Sequence, residues 1–146
     1  MLLPVTLTIA GASALIHIWL SVRVSQYRRL HKISVGDGGH PAVLARMRAH
    51  GNFAENTPLF VILLGLIELA VGSSLWLWLI GLAFVAGRLV HPFGMDRPGA
   101  NPARVAGMLL SWVPMLLLGL YALYLVSSSP RVVPAATYAE AERART

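Results

Sequence analysis

The sequence predicts an all-α integral membrane protein, built as a bundle of four membrane-spanning helices. Hydrophobic residues make up 56 % of the 146 residues and charged residues only 12 %, whereas a soluble domain carries about 25 % charged residues. Four continuously apolar stretches are each long enough to cross a bilayer as a helix, which takes ~20 residues. The strands of a membrane barrel would instead alternate apolar and polar side chains. The chain contains no cysteine, which excludes disulfides and a catalytic thiol of its own.

The first two predicted helices cover about residues 2–24 and 42–71. The first stretch carries no charge before Arg23. The second helix is expected to begin just after Pro41, because proline is favoured in the first turn of a helix. At 1.5 Å per residue this helix would be about 45 Å long, which exceeds the ~30 Å hydrocarbon core. Its first turns are therefore expected to lie outside the hydrocarbon, and Pro58 is expected to bend it.

The third and fourth helices are predicted at about residues 73–92 and 104–127. A short uncharged turn joins the second helix to the third, and a connection rich in proline and glycine separates the third from the fourth. The four helices form one predicted domain over residues 1–128. Residues 129–146 mix proline, alanine, glutamate and arginine, which predicts a loosely ordered tail.

The positions of the basic residues predict the orientation in the membrane. Nine of the twelve Lys and Arg residues lie around the first and third connections, and none lies in the second. Because cytoplasmic loops are enriched in Lys and Arg, these two connections are expected in the cytoplasm and both termini on the other side of the membrane. Basic residues that flank membrane spans also account for the net charge of +6 without nucleic acid as a partner. Anionic membrane lipids are the expected contacts.

Polar residues gather at the predicted cytoplasmic ends of the helices. Helical spacing places three of them on one face of the second helix, two on the third helix and two on the fourth. In that order they are Arg48, Asn52 and Glu55; Arg88 and His91; and Arg104 and Ser111. Guanidinium groups bind carboxylates, and a lone carboxylate among them can hold an ammonium group. The cluster therefore predicts a cationic pocket for a small peptide-like ligand that bears carboxylates and an amine.

Several of these polar residues also have a purely structural interpretation. Arg88 could form a buried salt bridge with Glu55, and the basic residues after the first helix could simply contact anionic lipid. His17 is expected to pack or hydrogen-bond between helices, His50 to pack, and Glu68 to snorkel towards the outer surface. No spacing of histidines and carboxylates predicts a metal site.

A long motif on the second helix resembles that of a known family. Residues 46–60 read RMRAHGNFAENTPLF, which fits the pattern R-A-H-x-N-x-x-E-x-x-P-x-F. With the four-span layout and the segment Gly87–His91, this motif resembles the MAPEG family, membrane-associated proteins in eicosanoid and glutathione metabolism. The resemblance covers roughly residues 5–126. The GDGG turn at residues 36–39 is similar to the bacterial inner-membrane branch of the family.

The resemblance implies a four-helix bundle that assembles as a homotrimer and binds glutathione between neighbouring subunits on the cytoplasmic side. It implies that seven residues frame the glutathione site: Arg28, Arg48, Asn52, Glu55, Arg88, His91 and Arg104. Arg104 is expected to stabilise the glutathione thiolate, and Ser111, on the same helix face, is expected to assist it. These two residues are the predicted catalytic groups.

The resemblance further implies an enzyme that conjugates glutathione to lipophilic electrophiles or reduces lipid hydroperoxides. Three departures from the family pattern favour an alternative, a lipid-binding or scaffold protein without enzymatic activity. These departures are Gly51, where several members carry an arginine, and Met95 and Met108, where several carry an aromatic hydroxyl. A transporter or channel is the weakest interpretation, because the polar groups are confined to one half of the bundle.

Overall fold

A computed structural model describes residues 2–97, 99 and 101–128, and its regular secondary structure is entirely helical. The four helices are α1 (Pro4–Leu30), α2 (Pro41–Val71), α3 (Leu75–Met95) and α4 (Pro102–Ser128). All four are long and apolar enough to cross a membrane. The predicted all-α membrane bundle is therefore confirmed. The tail predicted at residues 129–146 lies outside the described residues.

Two helices are longer than their apolar stretches predicted. Helix α1 continues to Leu30, six residues past Val24, and its last turn carries Arg28 and Arg29. Basic side chains are favourable in the last turn because they interact with the negative end of the helix dipole. Helix α4 begins at Pro102, two residues before the predicted start. Hydropathy therefore located the membrane-crossing part of each helix and not its polar ends.

The helices pack as neighbours in chain order, with α1 most extensively against α2 and α3 against α4. One core lies towards the short turn between α2 and α3, where the rings of Phe60 and Phe84 stack with centroids 3.8 Å apart. We call the opposite end of the bundle, where α1 and α3 finish and α2 and α4 begin, the basic end. Helix α2 continues as a helix through Pro58.

Glycines bring α3 and α4 into close contact near the basic end. A Cβ atom at Gly107 would lie 2.7 Å from the Cα of His91, and one at Gly94 would lie 2.3 Å from the backbone nitrogen of Arg104. Real Cβ atoms do not approach other atoms this closely, so both positions require glycine. Small residues allow membrane helices to pack backbone against backbone. This contact fixes the position of His91 relative to Arg104.

Glu68 holds the start of α1 against the end of α2. Its side chain is 1 % exposed. Its carboxylate accepts hydrogen bonds from the backbone N–H groups of Val5 (3.0 Å) and Thr6 (2.8 Å), and from the hydroxyls of Thr6 and Ser73 (2.7 Å each). The first N–H groups of a helix have no partner within the helix and attract negative charge. The prediction that Glu68 snorkels was wrong, because this carboxylate caps α1 from the neighbouring helix.

A charged cluster joins three helices at the basic end. Asp96 forms ion pairs with Arg23 of α1 and, at 3.6 Å, with Arg46 of α2. The guanidinium of Arg46 also lies over the ring of Tyr27, with 3.3 Å between its carbon and the ring centroid. We call these residues the Asp96 clamp. The clamp sets the spacing of α1, α2 and α3 where the candidate site opens.

Candidate functional site

A cavity of about 430 Å³ lies between α2, α3 and α4 at the basic end. Helix α2 contributes Met47, Arg48, Gly51, Asn52 and Glu55 to its lining. Helices α3 and α4 contribute His91, Met95, Arg104 and Met108. Five of the predicted site residues therefore line one cavity, and we call it the inner cavity. Its volume lies within the ~300–1,000 Å³ that is usual for small-molecule sites.

Arg88 lies buried beside the inner cavity, with only 2 % of its surface exposed. Its Nε donates to the hydroxyl of Ser111 (2.8 Å), and its Nη1 donates to the side-chain oxygen (2.9 Å) and backbone oxygen (3.3 Å) of Asn52. Its Nη2 has no partner among the described residues. The salt bridge to Glu55 considered from the sequence is wrong, because no described carboxylate lies within ion-pair distance of Arg88. A buried guanidinium without a counter-charge gives this region a positive potential.

Ser111 serves Arg88 and does not face the inner cavity. Its side chain has no exposed surface, and its hydroxyl donates to the carbonyl of Gly107 (2.7 Å) while it accepts from Arg88. The expectation that Ser111 assists Arg104 was based on their common helix face. In the structure this part of α4 packs against α3, where the Ser111 hydroxyl is buried and bonded to Arg88. The hydroxyl is therefore not available for direct contact with a ligand in the cavity.

Asn52 presents a hydrogen-bond donor to the inner cavity. Its side-chain oxygen is occupied by Arg88, and its backbone oxygen accepts from both Arg88 and, at 2.7 Å, the Asn56 amide. The amide nitrogen of Asn52 has no acceptor among the described residues. An amide nitrogen donates and cannot accept. The amide nitrogen of Asn52 is therefore free to donate a hydrogen bond.

Three charged side chains at the cavity lack ionic partners within the described chain. Arg48, Glu55 and Arg104 are exposed residues of the lining, and no described ion pair includes them. A ligand can therefore use their charges without breaking a salt bridge. The two arginines attract anions, and Glu55 attracts a cation.

Asn101 fixes the start of α4, and so the position of Arg104. Its side-chain oxygen accepts from the backbone N–H of Arg104 (3.0 Å), while its amide donates to the carbonyl of Gly94 on α3 (2.8 Å). Asn101 was not among the residues predicted from the sequence. Asparagine directly before a helix-starting proline is the signal that could have found it, because asparagine is a favoured N-cap.

Arg28 lies apart from the inner cavity. Its Nε donates to the carbonyl of Gly36 (3.0 Å), and its Nη2 lies 3.5 Å from the sulfur of Met47. Within one chain Arg28 therefore holds the loop after α1 and supports a residue of the cavity lining. Its predicted contact with glutathione stays a prediction.

Among the described residues, no three His, Asp or Glu side chains come together as metal ligands would. The rings of His17 and His50 pack between α1 and α2 with centroids 4.6 Å apart, and the Nε2 of His50 has no hydrogen-bond partner among the described residues. His91 is buried and lines the inner cavity.

The fold and the cavity together define a four-span helical membrane protein with a cationic pocket at one end of its bundle. Residues 6–124 match the MAPEG family. The chain belongs to this family. It is 29 % identical over 109 residues to the protein named inner membrane protein YecN of Escherichia coli strain K12, covering 75 % of this chain and 82 % of the relative. The protein of the same name in Escherichia coli O6:H1 matches to the same extent.

Proposed function

We propose that this protein is a membrane-bound, glutathione-dependent transferase that conjugates glutathione to lipophilic electrophiles, or reduces lipid hydroperoxides with it. The observation that carries the proposal is the charge pattern of the inner cavity. Among the described residues, two guanidinium groups and one carboxylate have no ionic partner there. Beside them lies a third guanidinium, that of Arg88, which is buried without a described counter-charge. Glutathione carries two carboxylates, one ammonium group and a thiol. Its charges complement this pattern.

The charges suggest how glutathione would lie in the cavity. Arg48 and the donor nitrogen of Asn52 would bind a carboxylate, and Glu55, one turn beyond Asn52 on the same face of α2, would bind the ammonium group. Arg104 at the start of α4 would lie near the sulfur. Arg88, buried beside the cavity, would contribute its positive charge and would orient Asn52. His91 completes the wall.

Arg104 would promote the reaction by stabilising the thiolate. A free thiol has a pKa of about 8.5, so only a few per cent is ionised at pH 7. Lowering that pKa by one unit requires about 1.4 kcal/mol, which one partly desolvated guanidinium can supply. The positive end of the α4 helix dipole adds a positive potential at the same place. Ser111 would contribute by positioning Arg88.

The bonds formed and broken differ between the two reactions. In conjugation the thiol proton passes to water, the sulfur bonds to an electrophilic carbon, and the leaving group departs with its bonding electron pair. In peroxide reduction two glutathione molecules are oxidised to the disulfide while the hydroperoxide becomes an alcohol and water. An electrophile dissolved in the bilayer would reach the sulfur sideways, without crossing the aqueous phase.

The proposed setting is the bacterial inner membrane, with the basic end in the cytoplasm, both termini in the periplasm, and the chain assembled as a homotrimer. The distribution of Lys and Arg supports the orientation, and the name of the Escherichia coli relatives supports the membrane. Family membership supports the trimer, in which Arg28 would reach the glutathione of a neighbouring subunit.

A second candidate function is a lipid-binding or scaffold protein that keeps the fold without catalysis. The specific observation in its favour is that no described residue of the inner cavity carries a hydroxyl, since Met95 and Met108 occupy the wall. Methionine fills space and adapts to ligands, but its sulfur is only a weak hydrogen-bond acceptor.

Glutathione titration separates the two candidates. For the transferase, glutathione should raise the melting temperature of the purified protein, because a ligand that binds only the folded state stabilises it. Absence of a shift at millimolar glutathione would favour the scaffold. Arg104→Ala should retain the fold but lose the ultraviolet absorbance of the bound thiolate and the conjugation of chlorodinitrobenzene. Arg29→Ala, which removes an exposed arginine at the same end, is the control. Unchanged conjugation by Arg104→Ala would refute the role of Arg104.

A further inference from the structure

Three methionines, one from each of three helices, line the inner cavity. They are Met47 of α2, Met95 of α3 and Met108 of α4. The fourth described methionine, Met115, packs instead against the hydrophobic core at the other end of the bundle. Methionine commonly fills gaps within a core, but the three cavity methionines belong to neither described core cluster. Their side chains therefore border the open space of the cavity.

His91 joins two of these methionines on a rigid part of the bundle. His91 and Met95 lie four residues apart on α3, so their side chains share one face of that helix. Met108 directly follows Gly107, where an added Cβ would lie 2.7 Å from the Cα of His91. The close contact between α3 and α4 therefore fixes the backbone positions that carry all three side chains. All three line the inner cavity.

One imidazole and two thioethers form a soft set of metal ligands. Thioether sulfur is polarisable and prefers soft ions such as Cu(I), and imidazole also binds copper. Carboxylate and carbonyl oxygens, which suit Mg²⁺ and Ca²⁺, do not gather with a histidine in a group of three among the described residues. The chain contains no cysteine, so methionine is its only source of sulfur ligands. The donor set therefore favours a soft metal ion.

The charges around the cavity favour a monovalent ion. The guanidinium groups of Arg48 and Arg104 repel a divalent cation twice as strongly as a monovalent one at the same distance. Arg88, buried beside the cavity, adds to this preference. Arg48 and Arg104 are exposed, so water and salt screen their charges, and Glu55 supplies a negative charge in the same lining. Cu(I) combines the single charge with the soft character that the ligands require.

We propose that the inner cavity binds Cu(I) through the thioethers of Met95 and Met108 and the imidazole of His91. Ag(I), which has the same charge and is also soft, would occupy the same site. Met47 is not assigned as a ligand, because the Nη2 of Arg28 already lies 3.5 Å from its sulfur. This metal site goes beyond the proposed function and does not depend on glutathione.

The test measures Cu(I) binding to the full chain in thiol-free detergent micelles by equilibrium dialysis under nitrogen, with empty micelles as the blank. We expect saturable binding of one Cu(I) per chain. Met95→Leu and Met108→Leu each remove a sulfur while nearly keeping the volume of the side chain. Each should weaken Cu(I) binding at least about tenfold, because even changes outside the ligand shell weaken metal sites by about 10- to 100-fold.

The matched control is Met115→Leu, which removes a methionine sulfur from the same helix as Met108 but outside the cavity. This variant should bind Cu(I) as the wild type does. Equal weakening by Met115→Leu and Met108→Leu would overturn the proposal, because binding would then not depend on the cavity. Absence of saturable binding to the wild type would also overturn it.

X-ray absorption at the copper edge identifies the atoms bound to the metal. We expect two sulfur atoms and one nitrogen around Cu(I) in the wild type, and one sulfur fewer in Met95→Leu. A shell of nitrogen and oxygen alone would contradict the proposal, as would displacement of Cu(I) by an equal concentration of Mg²⁺. Glutathione is absent from all these measurements, so their outcome is separate from the melting experiment that tests the transferase.

Discussion

Removing one buried hydroxyl tests the link between Ser111 and Arg88. In Ser111→Ala the Nε of Arg88 loses its acceptor at 2.8 Å, at a position with no exposed surface. A hydrogen bond to a charged group contributes about 1.5–3 kcal/mol, and a buried donor left without a partner loses it in full. The missing oxygen leaves little empty volume, so the lost bond should dominate. We expect the free energy of unfolding to fall by about 1.5–3 kcal/mol.

The matched control is Ser127→Ala on the same helix, because Ser127 is exposed and its hydroxyl donates to the backbone of Tyr124 and to no other described residue. That change should alter stability by less than about 0.5 kcal/mol. Both variants are compared with the wild type in unfolding experiments in mixed micelles without glutathione, and circular dichroism monitors the loss of helix. Equal stability of the two variants would refute the assignment of Ser111 to Arg88.

The same variant separates a positioning role from contact with the thiol. Positioning predicts weaker glutathione binding in Ser111→Ala, because Asn52 is oriented by Arg88, with the pH dependence of conjugation unchanged. Direct contact with the thiol predicts a pH profile shifted to higher pH at unchanged glutathione affinity. Rescue by Ser111→Thr, which restores a hydroxyl, would support the hydrogen bond as the cause.

Two other changes test the contacts that fix the site. Glu68→Gln should destabilise the protein by about 2–4 kcal/mol, because an amide group cannot accept from both backbone N–H groups at the start of α1 and both neighbouring hydroxyls. Glu55→Gln, on the same helix but without described partners, is the comparison in thermal melts. Equal melting temperatures of the two variants would contradict the capping role of Glu68. Gly94→Ala should separate α3 from α4, since the added Cβ would lie 2.3 Å from the Arg104 backbone. We expect a loss of a few kcal/mol and weaker glutathione binding. Gly51→Ala, with no atom within 4 Å of the added Cβ, should not lower stability in the same melts, because alanine is the better helix former.

The sequence was sufficient for the helices and for one face of the site. Hydropathy alone locates four membrane-length helices, because the bilayer demands continuous apolar surface over a fixed length. Helical periodicity places Arg48, Asn52 and Glu55 on one face, and the structure brings all three into one cavity. Both predictions depend on residues close together in the sequence, where backbone geometry fixes their relative positions.

Contacts between distant residues could not be predicted in this way. Glu68 meets Val5 from 63 residues away, and Arg88 meets Asn52 from 36 residues away. Which partner a polar side chain chooses depends on the rotation of each helix about its axis and on how closely two helices approach. The second quantity is set here by Gly94 and Gly107, whose role becomes visible only once the opposite helix is in place.

The glycine contact between α3 and α4 affects how the bundle adapts to the thickness of the bilayer. The two helices are in backbone contact, and Asn101 joins the start of α4 to the end of α3. We therefore expect α3 and α4 to tilt together as one rigid unit. Membrane helices adapt to a change in hydrocarbon thickness by tilting. A tilt of α3 and α4 would move His91 and Arg104 together, relative to Arg48 on α2. Acyl-chain length in the host membrane should therefore change the width of the inner cavity between α2 and these two helices.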